Sequence, residues 1–224
     1  FGLERVLEPE LMEDEEQVLA YAEADFSEPH NYFIELFRQK FAHDVVTGFV
    51  LDMGCGPGDI SFRFAKAFPD CVVQGVDGSA CMLDYANQRL VASADYSGRL
   101  EFVLGLFPDV DLPRTNYPTL ISNSLLHHLP DPQILWTIVK RWAVSGTRVF
   151  IMDLMRPEST AVAQDYMIRY AAGEPEILQR DFYNSLLAAF TVDEVQLQLT
   201  EAGLETLSVE AVSDRHLIVA GCMA

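Results

Sequence analysis

Residues 50–59, VLDMGCGPGD, place three glycines and a proline directly behind an apolar run. A strand is expected to hand over to a helix here, and the residues least suited to a helix sit at the junction. Glycine permits a tight turn with left-handed backbone and lets a ligand approach the main chain closely. The flanks supply the two elements: FVLDM (49–53) reads as a strand and ISFRFAKAF (60–68) as a helix.

Outward from this stretch the alternation continues. CVVQGVD (71–77) precedes a helical SACMLDYANQRLVAS (79–93), and LEFVLG (100–105) precedes a proline-rich turn. TLISNS (119–124) leads to the helix PQILWTIVKRWAV (132–144), and TRVFIMDL (147–154) follows as a strand. This pattern predicts right-handed βαβ units around a parallel sheet. After Leu154 a mostly helical segment, about 157–190, interrupts the repeat, and the helix VDEVQLQLTEAG opens behind Thr191. The strands LETLSVEAV (204–212) and RHLIVAGC (215–222) then have only Ser213 and Asp214 between them. So short a link cannot cross over, which makes this last pair an antiparallel hairpin. In such sheets ligands lie beyond the carboxyl ends of the strands, near the point where strand order reverses.

The chain has 224 residues, half of them hydrophobic, enough for one domain with a substantial core. We expect a single domain over 1–224: a helical cap at 1–44, a cofactor-binding core at 45–154, a helical insertion over the substrate site at 155–190, and a closing helix and hairpin at 191–224. Fifteen basic residues against 34 acidic ones leave a formal charge of -19. Residues 1–30 alone hold ten carboxylates against Arg5, an acidic opening that reads as a solvated helix face. This balance argues against a nucleic-acid partner and an anionic membrane surface. No run approaches the roughly 18 apolar residues of a membrane span, and FGLERVLEPELMEDEE has neither a basic nor an apolar leader region, so a cytoplasmic location is expected. Cys55, Cys71, Cys81 and Cys222 form no CxxC pair; they read as reduced thiols, and no metal is expected.

The glycine loop departs from the dinucleotide fingerprint GxGxxG. Its third glycine comes one residue early, and Asp59 stands where that pattern wants Gly or Ala, a carboxylate that would repel a pyrophosphate. The pattern Asp52, Gly54, Gly56, Gly58 instead resembles motif I of the class I S-adenosylmethionine-dependent methyltransferases. Three more stretches carry the resemblance: Asp77, Gly78, Ser79, Met82 and Leu83 after the second strand; Asn123 and Ser124 after the fourth; and LHHL followed by an aspartate, at 126–131. One match fails, because Gly105, Leu106 and Phe107 stand where many relatives have Gly-Asp-Ala, with the Asp on the adenine amino group.

The resemblance implies a Rossmann-like, doubly wound α/β fold of seven strands, mostly parallel with an antiparallel carboxyl-terminal hairpin. It implies S-adenosylmethionine as cofactor, held by Asp52, Gly54, Cys55, Gly56, Gly58, Asp77, Gly78, Ser79, Met82, Leu106, Phe107, Asn123 and Ser124, with Asp77 on the ribose. It also implies in-line methyl transfer to an O, N or C atom of a small molecule, by a monomer or homodimer. His127 or His128 is the first candidate for a general base, since both follow the fourth strand and imidazole titrates near neutrality. Outside the repeat, Arg156, Tyr166, Tyr170, Tyr183 and His216 are candidate substrate contacts. The alternative is a protein that binds the cofactor or an analogue without transferring methyl.

Overall fold

The computed structural model describes residues 2–8, 14–114 and 116–224. Two helices open it, α1 (Glu15–Glu23) and α2 (Ser27–Lys40). Then follow β1 (Gly48–Met53), α3 (Asp59–Ala67), β2 (Cys71–Asp77), α4 (Ala80–Val91), β3 (Leu100–Leu104), β4 (Tyr117–Asn123), α5 (Gln133–Trp142) and β5 (Ala143–Leu154). The insertion forms α6 (Thr160–Ala171) and α7 (Glu176–Ala188), and α8 (Val192–Ala202), β6 (Leu207–Ala211) and β7 (His216–Cys222) complete the chain.

The seven strands lie in the order β3-β2-β1-β4-β5-β7-β6. The first five run parallel, and β7 is antiparallel to both β5 and β6, so the expected hairpin is present. Strand order reverses between β1 and β4, which opens the crevice beyond the ends of these two strands. Val50 to Met53 are all buried, as befits a strand covered on both faces.

Two apolar layers sandwich the sheet. On one face Trp136, Ile138 and Val139 of α5 and Val195 and Leu199 of α8 pack on Leu51, Leu120 and Val149. The other layer contains a helix that the sequence reading had assigned to a cap. Phe33, Ile34, Phe37 and Phe41 form an apolar stripe at helical spacing along α2 and its end, and they join Phe62 and Phe64 of α3 over Val50, Val73 and Phe150. Phe33 meets Phe150 edge-on at 4.9 Å and Phe37 meets Phe64 at the same separation. The first turn of α2, from Ser27 to His30, still reaches the crevice beside α1, while the rest of that helix packs on the sheet. Glu10 and Glu13 of the acidic opening lie outside the described residues, and 2–8 run without regular structure rather than as a helix.

Local signals account for the helix ends. Ser79 caps α4, Ser159 caps α6, and Thr191 with Glu194 forms a capping box on α8, which Gly203 closes in left-handed conformation. The strand expected at 147 begins at Ala143, because the pairing with β4 shifts register between Tyr117 and Thr119 and Thr147 Oγ1 bonds the Tyr117 carbonyl. Among the described residues no helix is long and apolar enough to cross a membrane.

The turn into α3 rests on Gly58, whose φ is +90° and whose added Cβ would meet Phe102 Cζ at 2.7 Å. Gly58→Ala combines left-handed strain with overpacking, and urea unfolding should show a loss of about 2–4 kcal/mol; an unchanged midpoint would contradict this role.

Candidate active site

After Met53 the chain turns through Gly54, Gly56 and Gly58, all at positive φ. The amides of Gly54 and Cys55 donate to the Val76 carbonyl at 2.8 and 3.0 Å, and Gly56 N donates to Asp77 Oδ2 at 2.8 Å. The loop is thereby stitched to the end of β2. A side chain at Gly54 would strike Leu125 at 2.9 Å, whereas one at Gly56 would meet nothing within 4 Å. Gly56 thus presents bare main chain to open space.

That space is a cavity of about 1070 Å³ beyond the carboxyl ends of β1, β2 and β4, walled by α1, α6 and α7. A drug-sized ligand occupies a pocket of roughly 300–1,000 Å³, so there is room here for a cofactor and a second molecule. Of the residues proposed for the cofactor, Asp52, Gly54, Cys55 and Gly56 line it from the loop, and Asp77, Gly78, Ser79 and Met82 from the second strand and its helix. Leu106 and Phe107 line it after β3, and Asn123 and Ser124 after β4. Gly58 does not; it caps the start of α3 and is a packing glycine against Phe102. Ser124 adopts φ +62°, the left-handed region, and the described residues include no other non-glycine at positive φ. Such strain gathers at ligand sites.

Two carboxylates sit beneath the loop. Burial, opposed by the Ser61 hydroxyl at 2.5 Å and aided by the Asp77 charge, pushes Asp52 up to about 7. Burial also raises Asp77, although the amides of Ser79, Gly56 and Gly78 oppose it. No cation contributes to either shift. Asp59 is the contrast: half-buried at the helix start, it is held well below the carboxylate range despite desolvation because His30, Arg63 and Arg89 all bond it. Burial pushes the Cys55 thiol well up, which leaves it inert.

The histidines differ sharply. His127 is buried, with Nδ1 2.6 Å from Asp153 Oδ1 and Nε2 3.1 Å from Glu8 Oε1, the latter outside hydrogen-bond geometry. Burial alone would lower its pKa, but Asp153 and Glu8 outweigh it and raise the imidazole to about 10. Asp153 and Glu8 thus favour the protonated imidazole, which counts against His127 as a general base. His128 is more exposed, with Nδ1 3.2 Å from the same Glu8 oxygen. His216 lines the cavity, but burial first and Arg215 second lower it to about 4, so it is neutral at pH 7 and a weak base.

Three expected substrate contacts are elsewhere. Arg156 spends its guanidinium on the carbonyls of Leu3 and Ala189 and on Glu194, a clasp that ties the opening segment to α8. Tyr166 bonds the Asp214 carbonyl, and Tyr183 packs with Leu154, Ala163 and Leu186; neither lines the cavity. Tyr170 does line it, with its hydroxyl 2.5 Å from Asp214 Oδ2. The sequence reading missed Tyr21 of α1 and Glu8, which also line it. Burial first, then the charges of Asp77 and Asp59, raise Tyr21 to about 12. Neither has a local motif to betray it, since both reach the site across the fold.

Asp52 sets a pH dependence. Its folded pKa lies above the unfolded value near 4, so this carboxyl adds no penalty below about pH 4 and a growing one up to about pH 7. Asp52→Asn should therefore raise the melting midpoint of the ligand-free protein at about pH 8 and change it little at about pH 4; equal effects at both would contradict the buried carboxylate.

Over residues 50–147 the sequence matches a family model described as a methyltransferase domain. It is 28% identical over 170 residues to the 27-O-demethylrifamycin SV methyltransferase of Amycolatopsis mediterranei, covering 73% of this chain and 56% of that protein. The chain thus spans a little over half the length of this curated relative. Among solved structures, the plantazolicin methyltransferase BpumL in complex with a triazolic desmethylPZN analog and SAH superposes with a TM-score of 0.68 at 12% identity, over 93% of this chain and 90% of that one. A SAM dependent methyltransferase from Aquifex aeolicus gives 0.69 at 18% identity, over 95% and 100%. At these identities the superpositions establish the fold.

Proposed function

We propose that the chain is a class I S-adenosylmethionine-dependent methyltransferase that methylates an O, N or C atom of a small molecule, in the cytoplasm. The observation that carries this reading is the bare main chain of Gly56 facing the cavity above the buried Asp52 and the half-buried Asp77, with no cation beside either. That arrangement suits a ligand with positive charge that must approach the backbone closely, and S-adenosylmethionine carries both a sulfonium and an ammonium.

Asp77 would hold the ribose, since each of its oxygens already accepts one amide and retains further acceptor capacity. Met82, Leu106 and Phe107 would flank the adenine in place of the missing aspartate, and Asn123 and Ser124 would meet the methionine part. When bound, the cofactor supplies a methyl group whose bonding pair to sulfur stays with the sulfur as the methyl passes to the substrate. The chain's own task is placement. Orientation supplies roughly 7–11 kcal/mol, against about 3–5 kcal/mol for a general base. A base is then dispensable, in keeping with the engaged His127 and the weakly basic His216. Cavity volume beyond the cofactor, bounded by α1, α6 and α7, would take the substrate. The absence of any disulfide among the described cysteines is in keeping with a reducing compartment.

Calorimetry with S-adenosylhomocysteine tests the cofactor site. Asparagine tolerates left-handed backbone, so Gly56→Asn should fold with a loss of no more than about 1–2 kcal/mol while binding drops at least about tenfold. Methyl transfer from labelled cofactor to a small molecule in cell extract should then be seen with wild type only. Binding without transfer would favour the non-catalytic alternative, and no binding by wild type would overturn the assignment.

A further inference from the structure

Residues 5–8 are fastened against the cavity wall with more bonds than an unstructured leader needs. Arg5 donates to the carbonyls of Ala188, His127 and Leu129 and stacks on Phe190, and Val6 N bonds the Leu187 carbonyl. The result is to hold Glu8 against the paired histidines, where Ser185 Oγ donates to Glu8 Oε1 at 2.9 Å. We propose that Glu8, His127 and His128 bind a divalent first-row transition cation, such as Zn²⁺, Fe²⁺ or Mn²⁺, whose open positions receive an oxygen of the substrate.

The donor atoms support this. One atom from each residue lies within 4.8 Å of the other two, and Glu8 Oε1 is 3.1 Å from His127 Nε2 and 3.2 Å from His128 Nδ1. Ligand bonds of about 2.0–2.2 Å in a tetrahedral site separate neighbouring donors by about 3.3–3.5 Å, close to these spacings. Two imidazoles and one carboxylate are a ligand set that zinc and non-haem iron use, with the remaining positions open to water or substrate.

His127 supplies the second, independent observation. Its Nε2 is buried and makes no hydrogen bond, while Asp153 fixes Nδ1, so the unsatisfied nitrogen is aimed at Glu8. Asp153 is itself anchored by the amides of His127 and Leu154. A carboxylate orienting a ligating histidine through its far nitrogen is the usual outer shell of a metal site.

All three residues line the cavity, so unfilled positions open onto the space left for substrate. Resting on the methyltransferase reading, this narrows the acceptor to an ionisable oxygen: a phenol, an enol or a hydroxy acid. A cation there would lower the pKa of that oxygen and hold it in place, the two services the histidines by themselves do not provide.

Co²⁺ is the probe, because its visible spectrum reports imidazole ligation. Wild type should bind one Co²⁺ per chain, and Glu8→Gln and His128→Asn should each weaken it at least about tenfold. Both positions are less buried than His127, and circular dichroism checks each fold. Acetohydroxamate, an oxygen chelator, should shift the spectrum of the loaded wild type. No uptake by wild type, or equal affinity in both folded variants, overturns the site; an unmoved spectrum overturns its role toward substrate oxygen. S-adenosylhomocysteine binding without Co²⁺ uptake would defeat the cation site alone, and Co²⁺ uptake without S-adenosylhomocysteine binding would defeat the methyltransferase reading alone.

Discussion

The bond from Gly56 N to Asp77 Oδ2 joins the turn after one strand to the end of the next, and the crevice depends on it. The turn needs left-handed backbone at Gly54, Gly56 and Gly58, which most side chains adopt only with strain. Once made, it leaves the Asp77 carboxylate between two amides at the rim of the cavity, with the start of α3 on one side and that of α4, capped by Ser79, on the other. The reversal of strand order between β1 and β4 then holds these groups apart from Asn123 and Ser124, and the gap between them is the site.

Electrostatics divides the carboxylates around this gap into two kinds. Asp59 is fully answered by His30, Arg63 and Arg89 and ties α2, α3 and α4 together. Asp52 is buried and Asp77 half-buried without a cation, a destabilising arrangement in the ligand-free chain that a positively charged ligand would relieve. The same reasoning connects the opening segment to function. Arg5 and Arg156 are spent on carbonyls and on Glu194, so they are fasteners, and what they fasten is the stretch that brings Glu8 to His127 and His128.

The parts of the fold governed by local rules were legible in the sequence. The glycine loop, the alternation from 49 to 154 and the two-residue link before β7 each act through neighbouring residues, and the sheet order follows from them. Other features depend on contacts between distant segments. The stripe of Phe33, Phe37 and Phe41 would look the same on a cap as on a layer helix, and only the facing Phe150 decides between them. Arg156 has an ideal position just after β5 and still turns away, because Glu194 and two carbonyls take its donors. Likewise, nothing local marks Glu8 or Tyr21 as neighbours of the crevice. The wall of the crevice from the glycine loop to Ser124 is thus written in one stretch of the sequence, and the facing wall is assembled from the two ends and the insertion.

The central claim is that the space in front of Gly56 is a cofactor site. A crystal structure of the chain grown with S-adenosylhomocysteine tests it most directly. The account predicts electron density for the ligand along the glycine loop, with its ribose hydroxyls on Asp77 and its adenine beside Leu106 and Phe107. Density for the ligand at any other place, or none at saturating concentration with the loop unchanged, would contradict it.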